Sequence, residues 1–279
     1  KHRRRQRQMC IRDRYLRSLD SGISTKNYAD ANQLLESIKG YQIKYASDII
    51  PSDEKIHAEI MYNKYDIFRN LFMYYFLAGL LFFIFIILNI FSENKSIHNF
   101  MKYIFIIFRS SIVLLFIAHT LGLIARWYIS GHAPWGDAYE SMIYVAWATM
   151  GIGLLFIKKS DLTLASTSFV TSMILMIAHW NWMDPSIANL VPVLNSYWLM
   201  IHVSVIVGSY GPFALSMILG FVSLLLIVFI TSTNKEKIKN QLSELTMINE
   251  LSVTVGLIML TIGNFLGGMW ANESWGRYW

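Results

Sequence analysis

The sequence predicts an all-α fold: a polytopic membrane helix bundle of about six transmembrane helices, preceded by a short extracytoplasmic N-terminal segment. Three observations carry this expectation. Hydrophobic residues make up 54% of the 279 positions and charged residues only 15%, with a positive mean hydropathy, a balance unlike that of a soluble chain of this length. From residue 71 the apolar residues gather into runs long enough to cross a bilayer core of about 30 Å, which takes about 20 helical residues. Between those runs the lysines collect in alternate loops, as retained cytoplasmic charge does.

Residues 1–14, KHRRRQRQMCIRDR, hold seven of the 24 Lys and Arg residues and one of the 18 acids, so the rest of the chain holds 17 of each and is neutral. The basic balance is therefore one tail, expected to be disordered or extraneous to the fold, and no nucleic-acid partner is expected. The only cysteine, Cys10, excludes an internal disulfide, a Cys-x-x-Cys redox pair and a covalent Cys-x-x-Cys-His haem site within this chain. Residues 15–70 are mixed polar sequence with helical stretches. At 56 residues they are too few for a convincing core and read as the extracytoplasmic end of a larger domain.

Spans are expected at about 71–91, 103–125, 138–157, 162–179, 199–230 and 248–269, all helical because backbone groups in lipid must be satisfied within the segment. Loops 92–102, 158–161 and 231–247 hold Lys95, Lys102, Lys158, Lys159, Lys235, Lys237 and Lys239, whereas the alternate loops hold only Arg126 and Arg277. The first set is expected inside; residues 15–70, the 126–137 and 180–198 loops and the C-terminal end are expected outside. Both ends of the chain read as cut.

On that topology the tryptophans are one-sided. Trp127 and Trp135 fall in the first outer loop, Trp180, Trp182 and Trp198 in or beside the second, and Trp270, Trp275 and Trp279 in the last, leaving only Trp147 in a span. An interfacial belt would mark both faces; an aromatic platform for a large flat ligand would mark one. Of the seven histidines, His119, His132, His179 and His202 lie near the outer face, and His202 is set apart by depth. The uncharged run 199–230 overshoots the membrane, and with Ile230 at the inner boundary His202 lies about 42 Å away along the axis at 1.5 Å per residue, near or above the outer boundary. An imidazole there can ligate iron beside the tryptophan loops.

Three segments, WYISGHAPWGDAYESMIYVAWA (127–148), NSYWLMIHV (195–203) and GGMWANESWGRYW (267–279), resemble the CcsA-type cytochrome c assembly proteins of the system II haem export and ligation machinery. The last resembles the opening half of the tryptophan-rich WWD signature, and residues 30–92 resemble the junction in fused proteins where a ResB-like (CcsB) part precedes the CcsA part. The resemblance implies cytochrome c biogenesis: a protein that exports haem b, or holds it at the outer face of a bacterial plasma membrane, and presents it to the Cys-x-x-Cys-His thiols of apocytochrome c. It implies as partners apocytochrome c, a ResB-like region, fused or separate, and membrane lipid. It assigns His202 as the first external axial ligand, and Trp270, Ala271, Asn272, Glu273, Trp275, Gly276, Tyr278 and Trp279 to the WWD surface, with Arg277 where a small residue is expected. The rest of the signature, the second external histidine and both transmembrane histidines fall outside this sequence, so one of four expected ligands is present. Holocytochrome c synthase activity is accordingly expected only of the complete protein or complex, and this chain alone is expected to retain little haem. Two other classes compete: a b-type electron-transfer protein with His119 and His179 as ligands, and a small-solute transporter with Glu140 or Arg109 as its intramembrane charge. Arg126 and Arg277 are candidates for propionate or headgroup contacts.

Overall fold

The computed structural model describes residues 2–47, 50–91, 95–180, 183–187, 197–230 and 234–276. Among these residues there are nine helices and no strand. They are α1 (His2–Thr25), α2 (Ala29–Ala46), α3 (Asp53–Tyr65), α4 (Ile67–Phe91), α5 (Lys95–Ser130), α6 (Ala138–Leu155), α7 (Asp161–His179), α8 (Tyr197–Val228) and α9 (Lys235–Trp275). The chain divides into two compact units between residues 57 and 58, within α3.

In the first unit α1 packs on α2, with Ala31 buried. Residues 2–14 of the basic tail, expected to be disordered or extraneous to the fold, lie in α1, where Arg, Gln and Met are good helix formers. In the second unit each expected span falls on one of the helices α4 to α9. Residues 58–70 fold with this unit, where Phe68 and Leu71 enter the core. Among the described residues five segments are long and apolar enough to cross a membrane: Asp53–Ile90, Phe100–Ser130, Asp161–His179, Tyr197–Val228 and Lys235–Glu273. The sixth expected span, α6, has 18 residues, about 27 Å at 1.5 Å per residue, and opens on the polar turn Tyr139-Glu140-Ser141, so it stands outside that set.

Helix α7 lies at the centre. Its Ser- and Thr-rich sequence buries twelve side chains, while α5 and α9 leave most of theirs outward. The hydroxyls on α7 cost little there because they bond to carbonyls, Thr167 to Thr163 at 2.6 Å and Ser168 across to Tyr75 of α4 at 3.0 Å. Small residues let the backbones meet: a Cβ on Gly79 of α4 would stand 2.7 Å from the Phe169 nitrogen of α7. The outward face of α5 carries Leu114, Ile117, Leu121 and Ile124, each about half exposed or more. A stripe of that kind is placed for lipid, where its apolar surface stays out of water.

Helix ends follow from local chemistry. Asp137 caps α6 by accepting the Glu140 N–H at 2.7 Å, and the Glu140 carboxylate reaches back to the Gly136 N–H at 2.8 Å. Ser160 caps α7 by accepting from the Thr163 N–H. Asp161, in the first turn of α7, takes a bidentate pair from Arg109 of α5 at 2.6 and 2.8 Å. Arg109 was a candidate intramembrane charge; it is an ion-paired cross-brace.

Contacts between sequence-distant positions set the directions of the helices. Tyr144 meets Gly208 and Thr149 meets Gly211, so α6 and α8 run parallel. Phe213 meets Gly256 and Ile206 meets Gly263, so α8 and α9 run antiparallel. Arg126 on α5 bonds Glu140 near the start of α6. The C-terminal ends of α5 and α9 and the N-terminal ends of α6 and α8 thus share one end of the bundle, which carries Trp127, Trp135, Trp198 and Trp270.

Candidate functional site

Helix α8 is 32 residues long, about 48 Å at 1.5 Å per residue, and His202 lies in its second turn, at the tryptophan-bearing end. Its Nδ1 is 2.7 Å from the carbonyl oxygen of Gly263 on α9. A carbonyl only accepts, so Nδ1 carries the proton in this bond and Nε2 holds the lone pair. The ring lies directly on Gly267: a Cβ there would overlap Cε1 and stand 2.8 Å from Nδ1 and 3.0 Å from Nε2. Gly263 and Gly267 are one helical turn apart, and Trp270, half-buried, follows on the same face. On the facing helix Trp198 precedes His202 by one turn. An imidazole with a bare Nε2, held half-buried between helices and followed by indoles on both, has the donor chemistry of an axial ligand to haem iron.

The remaining expected site residues fall partly on helix. Trp270, Asn272 and Glu273, expected to begin an external loop at residue 270, continue α9, with Ala271 buried and Asn272 and Glu273 exposed. The helix runs on because this stretch contains no helix breaker before Gly276, whose positive φ of 76° ends it and whose N–H donates to the Asn272 carbonyl at 3.0 Å. The side chain of Trp275, and Arg277, Tyr278 and Trp279, lie outside the described residues, as do Asn181 and Trp182.

An aromatic series leads from this end into the bundle. Trp127 and Trp135 meet edge to face at 6.1 Å, Trp135 and Tyr144 meet tilted at 5.0 Å, Tyr144 and Trp147 stack at 5.8 Å, and Trp147 stacks on Phe116 at 5.7 Å. The Trp135 indole N–H donates to the Met200 carbonyl at 3.1 Å, two residues before His202, and Trp147 donates to the Thr120 hydroxyl at 2.9 Å. The connection after α5 is thereby tied to the turn of α8 that carries the histidine.

Arg126 and Glu140 are corrected by the structure. Arg126, a candidate for propionate or headgroup contacts, and Glu140, a candidate intramembrane charge, are both buried and joined to each other, Nε to Oε1, at 2.8 Å. Arg126 also donates to the carbonyls of Pro185 at 2.9 Å and Ser186 at 3.0 Å, and Asp137 lies 3.8 Å away. The guanidinium is a clamp holding residues 185 and 186 onto α5 and α6. Glu140, offered as a transporter's charge site, is neutralised by it.

The His119 and His179 pair is not favoured either. His119 is fully buried, with Nε2 3.1 Å from the Ile143 carbonyl and the Phe68 ring 5.4 Å away, whereas His179 is exposed at the end of α7 beside Phe72. Among the described residues no group of three or more His, Cys, Asp or Glu side chains is arranged for a metal ion.

Fold and site together define a class: an all-α polytopic membrane protein with a half-buried histidine beside tryptophans at one end. Residues 135–279 match the family described as cytochrome c assembly protein. The chain is 41% identical over 262 residues to protein NrfI of Wolinella succinogenes, an alignment covering 94% of this chain and 28% of that protein. It is 31% identical over 232 residues to the cytochrome c biogenesis protein CcsA of Prochlorococcus marinus, covering 72% of each. To CcsA of Chlamydomonas reinhardtii it is 34% identical over 166 residues, 56% of this chain and 46% of that one. The chain belongs to the cytochrome c assembly protein family, and it spans about a quarter of the length of the NrfI protein it matches.

Proposed function

We propose that this chain is the haem-holding part of a cytochrome c biogenesis protein, and that it keeps haem b at the outer face of a bacterial plasma membrane for attachment to apocytochrome c. One observation carries the reading: His202, bonded through Nδ1 to the Gly263 carbonyl, is left with Nε2 as a donor at the tryptophan-bearing end. Family membership and the bias of Lys residues to alternate loops support it.

Haem supplies the chemistry, since its vinyl groups accept the two cysteine thiols of the Cys-x-x-Cys-His segment. The chain contributes placement. His202 would hold the iron, and Trp270, Asn272, Glu273 and Gly276, together with the sequence positions Trp275, Tyr278 and Trp279 that the resemblance assigns to the WWD signature, would contribute to binding the ring. Bringing the thiols and vinyls together in one orientation converts a bimolecular encounter into a local one and lowers the barrier by several kcal/mol or more. A ResB-like region and a second axial histidine complete the site in the whole protein or complex, which alone has holocytochrome c synthase activity.

His202→Ala tests this. In the whole protein it should remove most retained haem and abolish cytochrome maturation, with added imidazole restoring part of both by filling the vacated coordination position. His119→Ala and His179→Ala should leave the haem spectrum in place. The opposite pattern, haem lost with His119 or His179 and kept without His202, would sink the reading and favour a haem clamped inside the bundle.

A further inference from the structure

We infer that Gly263 and Gly267 of α9 form a seat for the His202 imidazole, and that this seat determines which ring nitrogen can bind iron. The inference rests on the reading of His202 as an axial ligand and adds two positioning residues to it. The Gly263 carbonyl takes the Nδ1 proton at 2.7 Å. A helical carbonyl has a second lone pair beyond the one used by the backbone N–H four residues on, so both bonds can be made. Gly267 supplies the room. The three nearest heavy atoms to a Cβ built on it are all atoms of the His202 ring, so this glycine is required by the imidazole itself.

The neighbouring position makes the contrast. A Cβ on Gly268 meets nothing within 4 Å, so of two adjacent glycines only Gly267 is spatially constrained. Gly263, four residues earlier, is constrained differently, since its Cβ would overlap the Ile206 side chain. The spacing Gly-x-x-x-Gly is one by which membrane helices approach closely; here the second glycine of the pair lies under a histidine. A methyl at Gly267 pushes the ring off its carbonyl partner, releases the Nδ1 proton from its bond and crowds Nε2. Partners that orient a ligating histidine in this way change metal affinity by about 10- to 100-fold when removed.

The test compares Gly267→Ala with Gly268→Ala in the wild-type and His202→Ala backgrounds. In the whole protein, Gly267→Ala should cut haem retention by about tenfold or more and shift the remaining spectrum from low spin towards high spin, with imidazole restoring the low-spin form. Gly268→Ala should match wild type. Thermal unfolding of the haem-free 279-residue chain gives a second readout: Gly267→Ala should lower Tm mainly while His202 is present, because the three heavy atoms nearest the methyl all belong to the His202 ring. An equal loss of Tm in both backgrounds would make Gly267 a helix-packing residue and overturn the proposal, as would a wild-type haem spectrum for Gly267→Ala where His202→Ala loses haem. If the Tm coupling holds but His202→Ala leaves the haem spectrum unchanged, the seat stands and the ligand assignment falls.

Discussion

Arg126 and Arg109 show how differently two intramolecular ion pairs weigh in one protein. Arg126 and Glu140 are both buried, whereas the Arg109 side chain is 39% exposed in its pair with Asp161. Removing one partner of a buried pair leaves an uncompensated charge and costs about 3–5 kcal/mol; a pair open to solvent contributes about 0–1 kcal/mol. Arg126→Ala and Glu140→Ala should therefore each lower Tm strongly, and the double variant by less than their sum. Arg109→Ala should lower it slightly. Thermal unfolding in detergent followed by circular dichroism checks all four. Arg126→Ala has a second consequence, because residues 185 and 186 lose their anchor: with Cys10→Ser, a cysteine at Ser186 should react faster with thiol reagents.

Among the elements, α4 and α7 approach closely where Gly79 lies against the backbone of Phe169 and the carbonyl of Ala165. Backbone atoms cannot rotate away as a side chain can. Gly79→Ala should accordingly separate the pair at a cost of about 1–3 kcal/mol. Gly220→Ala on α8, where an added Cβ meets nothing within 4 Å, should be neutral or slightly stabilising because alanine is the better helix former. Equal melting temperatures for the two variants would show that α4 and α7 can slide apart freely. Helix α9, at 41 residues, is longer than a bilayer core demands. Its first turns are amphipathic instead of uniformly apolar, burying Ile238, Leu245 and Ile248 while Lys235, Lys237 and Lys239 stay outward. Residues expected as an inner loop are for that reason helix from Lys235 onward.

For the molecule as a whole, function depends on orientation. The lysine bias puts Lys158 and Lys159, between α6 and α7, on the cytoplasmic side in the proposed reading, and on that orientation the 183–187 segment and His202 would face outward. Single cysteines at Lys159 and Ser186 in a Cys10→Ser background test this in intact cells. An impermeant thiol reagent should label the Ser186→Cys protein from outside and the Lys159→Cys protein only after lysis. The reverse pattern would put the tryptophan-bearing end in the cytoplasm, on the wrong side for the proposed chemistry.

The apolar runs, the punctuating lysines and the one-sided tryptophans sufficed to predict a polytopic helical bundle and to single out His202 near the end of an overlong helix. These are sums over neighbouring residues, and hydropathy and helix propensity are short-range properties that a chain carries wherever it goes. What His202 does with its two nitrogens was not legible in that way, because the Gly263 carbonyl that takes its proton is 61 residues further on. Nor was the pairing of Arg126 with Glu140, the first of which read as an outer-loop charge and the second as an intramembrane one. A Gly-x-x-x-Gly spacing is compatible with close helix approach, but a spacing does not say which side chain lies on it. That depends on the register of α9 against α8, set by packing along the length of both helices. Only the tertiary structure decides it, because the imidazole, its carbonyl and the glycine beneath it meet only when both helices are in place.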